Sequence, residues 1–245
     1  MQPVTTMDFA LNESQQMLQT SARRFLADHH NLHRARRALP WIDAAQPQLW
    51  RNMAEMGWTS LLVPEADDGL GLGLVEASLV AEEAGRQLLN LPWASSAVLL
   101  PLWCSAAGAT APALLQAAVQ SSMTGQRAFH CVDDTDAWWD FSGQCSDLVI
   151  VREGAHPGDP LQMALLPASV TTAQPGLDPS IRQSPAYRTE CEWHPLAINS
   201  TQRAHARAAY RLMLAAELVG VGQAALDMAS SYAKERAQFG KPTGS

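Results

Sequence analysis

Cysteine is scarce and poorly spaced for metal chemistry. Cys104, Cys131, Cys145 and Cys191 are spread along the chain with no C-x-x-C pair, which excludes a thiolate zinc site and a dense disulfide framework. Free thiols in a reducing compartment are the reading that remains. Positive charge is also short. The formal net charge is −7, so no overall basic field is available to hold nucleic acid, and an anionic ligand needs a local basic patch. The opening MQPVTTMDFA has neither a charged n-region nor an apolar h-region, so no secretory signal is read and the cytoplasm is the expected location. There is no P-loop, G-x-S-x-G, H-E-x-x-H, internal repeat or low-complexity tract.

What is present is an ordinary globular balance over 245 residues, with 47% hydrophobic and 17% charged, enough for one large or two modest domains. The most informative stretch is the last, Thr201 to Ser245. Alanine and leucine dominate it, and no proline interrupts Ala204 to Phe239, so a long helix is expected, capped by Ser200 or Thr201 and stopped by Gly240 and Pro242. Leu212, Ala216, Val219, Gln223, Leu226 and Ala229 recur at helical spacing, yet the other faces are apolar too, which places the helix inside a bundle. Gly220 and Gly222 cost helix propensity, and each is expected to be compensated by a helix backbone packed against it. Arg211, Glu217 and Asp227 interrupt the apolar run, so no membrane span is expected.

Upstream, the chain reads as helices from Met7 to about Leu39 (Asn12 or Ser14 capping), from about Pro47 to Met56, and from Leu74 to Leu89. The third of these turns Val75, Leu79, Val80, Ala84 and Leu88 inward and Glu76, Glu82, Glu83 and Arg86 outward. Ala94 to Gly108 and Ala113 to Ser122 are further apolar helices. Gly69, Gly71 and Gly73 are spaced as G-x-G-x-G, which favours a plain turn over a phosphate cradle. The texture then changes: Arg127 to Val132, Asp147 to Val151 and Leu161 to Leu166 read as short strands. Tyr187, Thr189, Cys191 and Trp193 alternate with polar residues as a further strand with one wet face. The fold class is α+β, with an N-terminal helical domain at 1–122, a small middle β domain at 123–199, and the first long helix of an incomplete helical bundle at 200–245.

Candidate functional residues are few. Arg203, Arg207 and Arg211 are spaced four apart and share a helix face, which suits the phosphates of an anionic ligand or simply water. His29, His30 and His33 include an i, i+4 pair, but no third ligand or H-E-x-x-H pattern accompanies them, and surface histidines at a fraying helix end are the expected outcome. No metal site is read. Trp138 and Trp139 can stack on a planar ring, though packing is the commoner use of such residues.

Two runs of the last helix carry a resemblance: Tyr232-Ala-Lys-Glu-Arg236-Ala-Gln238-Phe239-Gly240-Lys-Pro242, and the preceding Ala-Glu217-Leu-Val-Gly220-Val-Gly-Gln223-Ala-Ala-Leu226-Asp227. Together they resemble the acyl-CoA dehydrogenase family, and the order helical block, β region, long helix agrees over essentially the whole chain. Pro64-Glu65 ahead of the glycine cluster is similar to that family as well, with Asp68 standing where glycine is usual. The resemblance implies FAD as hydride acceptor, an acyl-CoA thioester as substrate, and a flavin shared between subunits of a homo- or hetero-oligomer. It implies that Arg236, with Gln238, Phe239 and Gly240, meets the flavin pyrophosphate, a role that a forked and permanently charged guanidinium suits. Arg211 matches a family arginine near the CoA pocket, while the acidic residue usual three positions earlier is Ala208 here.

Two departures accompany it. The flavin-ring segments of the family's middle domain, Thr-Glu-Pro-like and Trp-Ile-Thr/Ser, are not found between Gly125 and Asn199. The family's catalytic glutamate lies in helices that would follow Ser245, so no catalytic base is assigned. The expectation is a truncated chain or a degenerate subunit that lends flavin contacts to a catalytic partner. The rivals are a scaffold subunit that has lost flavin and substrate, and a stand-alone helical binding module.

Overall fold

The computed structural model describes residues 10–154, 156, 159–186, 191–238 and 241–242, with backbone only for the last few positions from 237 onward. The helices are α1 (Glu13–His29), α2 (Leu32–Ala35), α3 (Ala45–Glu55), α4 (Leu74–Arg86), α5 (Leu100–Ala107), α6 (Ala113–Met123) and α7 (Ser200–Glu235). The strands are β1 (Phe129–Asp133), β2 (Trp138–Asp140), β3 (Asp147–Arg152), β4 (Leu161–Pro167), β5 (Gln174–Pro175), β6 (Arg182–Pro185), β7 (His194–Leu196), β8 (Ala237–Gln238) and β9 (Lys241–Pro242). One sheet runs β1-β3-β4-β7 and a second β2-β6-β5. β1 and β3 pair in parallel, Cys131 opposite Val149, while the other pairings are antiparallel. This is the α+β order expected from the sequence.

The first helix is shorter than expected among the described residues. Asn12 closes a capping box with Gln15, and the helix ends at His29 because His30 leaves helical geometry and Asn31 caps a new short helix, α2. His30 is a correction, since it is buried rather than at the surface. Its Nε2 lies 3.1 Å from the Leu88 carbonyl, and desolvation pulls its basicity down to about 4, so it is neutral at physiological pH. α3 ends at Glu55 with Met56 as its cap, and Gly57 follows at φ +78°. The glycine cluster is a turn: a Cβ on Gly69 would lie 2.1 Å from the Val63 carbonyl oxygen. Asp68 adopts the left-handed conformation, φ 61°, which a short polar side chain tolerates and which glycine ordinarily supplies.

The inward face of α4 also differs from expectation. Leu79, Val80 and Ala84 are buried, but Val75 and Leu88 are exposed and Glu83 is 1% exposed. α4 lies between α1 and α7, so its charged side is covered by a neighbour whose cation, Arg23, pairs with Glu83. The expected helix at Ala94 to Gly108 begins with a π-helical turn at Ser95–Leu99. Pro101 has no N–H to donate and would crowd the carbonyl one turn back, and the wider turn relieves both problems. The alternating strand expected at Tyr187 to Trp193 falls partly outside the described residues, and ordered pairing there resumes at His194 opposite Met163.

α7 spans 36 residues and is capped by Asn199, not by Ser200 or Thr201, through a capping box with Gln202. It stops at Glu235, so Arg236 is already extended (φ −72°, ψ 116°) instead of helical. At ~1.5 Å per residue the rod is about 50 Å long. Its buried side is Ala206, Ala209, Met213 and Gly220, one position round from the expected seam. Leu212, Val219 and Leu226 are exposed, as are Leu214, Leu218, Met228 and Tyr232. The rotation follows from close approach. A Cβ on Gly220 would lie 1.9 Å from the Glu82 carbonyl oxygen, and one on Gly85 would lie 2.0 Å from that of Glu217, whereas Gly222 faces open space. By length and composition α7 could cross a bilayer, its best 18-residue window having a mean hydropathy of 1.4. Core helices of soluble proteins reach the same length and hydropathy, so this alone does not make α7 a membrane span.

Two apolar clusters join the parts. Trp50, Trp58, Trp93, Trp139, Leu148 and Met213 belong to one, and Trp103, Leu115, Phe129, Met163, Leu196 and Ala206 to the other. Each therefore takes residues from the helices, the sheet and α7.

Candidate functional site

The outer side of α7 carries the candidate residues at two places. Near its start, Arg203, Arg207 and Arg211 line an open cavity of about 350 Å³ with Glu153, Ser200 and Ala208. Arg203 is ion-paired to Glu153, and Arg207 Nη2 stands 3.8 Å from Asp133 Oδ2. Arg211 is exposed on the same groove. The stripe is thus partly neutralised: an anion entering here would compete with two carboxylates for two of the three guanidiniums and would meet Arg211 directly.

At the far end, the backbone N–H of Arg236 still donates to the Tyr232 carbonyl at 2.9 Å. Its guanidinium lies 5.4 Å from the Tyr232 ring centre and donates to the phenol oxygen. The exposed ring supports a cation at the rim of the rod. β8 and β9 form a short antiparallel ribbon just beyond, with Gln238 opposite Lys241. Phe239 and Gly240, expected to flank a flavin pyrophosphate, lie outside the described residues. The structure therefore puts Arg211 within α7 and Arg236 at its C-cap, far apart along the rod.

Between these ends the underside of α7 meets a buried polar cluster that the sequence did not single out. Ser95 Oγ lies 3.1 Å from His130 Nδ1, and Ser96 Oγ donates to the Phe129 carbonyl at 2.7 Å and accepts from its N–H at 2.8 Å. Desolvation holds His130 near 4 and lifts the Tyr210 phenol to about 12, against the opposing contact with Ser95. Burial also pushes the Cys131 and Cys145 thiols up, so both remain protonated and unreactive. The cluster joins the π turn, β1 and α7. A serine pair inside an apolar helix was its only sequence signal.

Asp133, Asp134 and Asp136 crowd the turn into β2. Asp133 Oδ1 accepts from the Thr135 N–H and hydroxyl at 2.9 and 2.6 Å, and Asp136 Oδ2 accepts from the Asp133 N–H at 3.1 Å. A turn whose donors are already taken by its own carboxylates repels a pyrophosphate. Trp139, beside it, is buried with Nε1 3.3 Å from the Asp133 carbonyl, while Trp138 is about half exposed. The β1–β2 turn has its backbone donors Asp133 and Thr135 already engaged by its own carboxylates.

A family model described as "Acyl-CoA dehydrogenase, N-terminal domain" matches residues 12–109. Acyl-CoA dehydrogenase IpdE2 of Mycobacterium tuberculosis is 28% identical over 234 residues, which cover 95% of this chain and 68% of that protein. Residues 12–109 are thus similar to the N-terminal domain of acyl-CoA dehydrogenases, and the similarity to one such protein extends over nearly the whole chain. Among solved structures, the ChsE4-ChsE5 complex of Mycobacterium tuberculosis shares its fold at TM-score 0.75 and 19% identity, over 98% of this chain and 71% of the other. A glutaryl-CoA dehydrogenase of Mycobacterium smegmatis in complex with FADH2 does so at TM-score 0.65 and 11% identity, over 96% and 69%. The exposed apolar row Leu214, Leu218 and Leu226 on α7 is surface that a soluble chain ordinarily covers.

Proposed function

We propose that this chain is a subunit of a flavin-dependent oxidoreductase acting on acyl-CoA thioesters, and that it completes its site only with a second polypeptide. The observation that supports this is the placement of Arg236: a guanidinium stepping out of α7 at its cap, braced on Tyr232. It stands at the end of a rod whose outer face, from Leu214 to Tyr232, is unpartnered among the described residues. Bound FAD would accept a hydride from the acyl group. This chain's part is to hold a phosphate: Arg236 would donate to the pyrophosphate with Gln238, Phe239 and Gly240 alongside. Arg211 would attract the phosphates of CoA from the groove beside Arg203 and Arg207. No group in the chain is assigned as the base that removes the α-proton. The division at 122 and 199, and a cytoplasmic setting, belong to the same reading. A homo- or hetero-oligomer is its natural form, and the ChsE4-ChsE5 complex of a fold relative supports a hetero-oligomer.

The acidic β1–β2 turn favours a second reading, a scaffold subunit that has lost both flavin and substrate. Co-expression with a catalytic homologue separates the two. The purified complex should carry flavin, seen by its visible absorbance, and Arg236→Ala should lower flavin occupancy at least ~tenfold at unchanged subunit ratio, the loss of about one charge-assisted contact. A complex that assembles equally well and is colourless with either residue leaves only the scaffold.

A further inference from the structure

The two carboxylates at the start of α7 hold their arginines unequally. Glu153 directly follows β3, and its carboxylate accepts from Arg203, whose side chain is 27% exposed. The neighbouring Arg152 does not draw it away. That guanidinium lies 3.8 Å from the centre of the Trp193 ring and donates to Gln162 Oε1 at 2.8 Å. Asp133 holds Arg207 only loosely. Its Oδ1 is engaged by the Thr135 N–H and hydroxyl, and its Oδ2 stays 3.8 Å from Arg207 Nη2, too far for a hydrogen bond. A solvated pair at that distance contributes little, so the exposed Arg207 can turn to another anion. Side chains four apart on a helix stand about 5–6 Å from each other at Cβ, so Arg207 and Arg211 can close on one phosphorus. Ala204 and Ala208 line the same groove and leave about 350 Å³ open.

Granted that Arg211 draws in the phosphates of CoA, we propose that Glu153 decides which phosphate enters. With Arg203 withheld, Arg207 and Arg211 form a two-guanidinium seat for a phosphate monoester, while the Glu153 carboxylate repels a diphosphate that would need the third arginine. A monoester places about two negative charges on one phosphorus, which two forked donors one turn apart match. A diphosphate bridge spreads its charge over two phosphorus atoms, reaches further along the helix toward Arg203, and meets Glu153 there. The 3′-phosphate of CoA is a monoester of this kind, and its diphosphate bridge is not.

Calorimetric titration of the 245-residue chain with CoA and with 3′-dephospho-CoA, at low salt, tests the assignment. The parent should bind CoA at least ~tenfold more tightly than dephospho-CoA, the worth of one charge-assisted contact. In Glu153→Gln the released Arg203 should improve dephospho-CoA binding roughly tenfold and shrink that ratio to about threefold or less. Adding Arg203→Met to Glu153→Gln should restore the parent ratio, because the gain comes through that guanidinium. Glu55→Gln, on α3, removes the same charge elsewhere and should leave both affinities unchanged. Arg211→Ala separates the two levels. If it leaves CoA binding unchanged, or if millimolar CoA does not bind the parent, Arg211 is no phosphate ligand and both readings fall. If it weakens CoA binding, but the ratio is near one in the parent or the same in Glu153→Gln, the role of Glu153 alone is overturned.

Discussion

Gly220→Ala should detach α7 from α4. The added Cβ would sit 1.9 Å from the Glu82 carbonyl oxygen and 2.8 Å from the Arg86 nitrogen, and both are backbone atoms that no rotamer change can move. Gly85→Ala meets the Glu217 carbonyl oxygen at 2.0 Å from the opposite side. Overpacking a well-filled core ordinarily costs 1–3 kcal/mol, and a clash between two helix backbones falls at or beyond the top of that range, so each variant should lose about 3 kcal/mol or more. The same helix supplies its own control. A Cβ on Gly222 meets nothing within 4 Å, so Gly222→Ala should gain up to about 1 kcal/mol of helix propensity. Urea unfolding followed by circular dichroism reads all three. If Gly220→Ala and Gly222→Ala unfold at the same midpoint, the two helices do not touch as described.

The contrast between these glycines shows what could be read from the chain. Length, alanine content and the lack of proline made α7 legible, because helix propensity is local. That a glycine in it would meet another helix was legible at Gly220 and not at Gly222, since spacing along one helix cannot say which face a second one chooses. With apolar residues on every side of α7, periodicity offered several seams. Tertiary contact selected Met213 and Gly220 over Leu212 and Val219.

The same limit applies to α4. Its periodicity assigned Glu83 to water, and only the fold brings Arg23, 60 residues away, over it. The motif at Arg236 was legible as residues, but its step out of the helix was not, because the cap depends on how the following ribbon turns. The Ser95–His130–Tyr210 cluster was invisible for a related reason. Each member alone is an ordinary polar residue, and only β1 docking under α7 makes them a group.

Arg23→Met should be the other large loss. Glu83 is 1% exposed and accepts from Arg23 Nη2 at 2.7 Å and from Nε at 3.0 Å, the paired geometry of a guanidinium on a carboxylate. Arg86 is 3.7 Å away and already donates to Asp227 at 2.5 Å. Methionine keeps the apolar stem but leaves a buried carboxylate with a single distant cation, and breaking a buried pair in this way costs about 3–5 kcal/mol. Glu83→Gln removes the charge instead. The Arg23 side chain is 53% exposed and can turn to water, so this loss should be smaller, about 1–2 kcal/mol. The double variant should therefore be more stable than Arg23→Met alone, because no carboxylate then remains buried without its partner. A chemical denaturation cycle over the four proteins measures the coupling, which should exceed about 1 kcal/mol. If Arg23→Met and Glu83→Gln cost the same and simply add, the pair is a surface contact, and α1 is held to α4 by apolar packing alone.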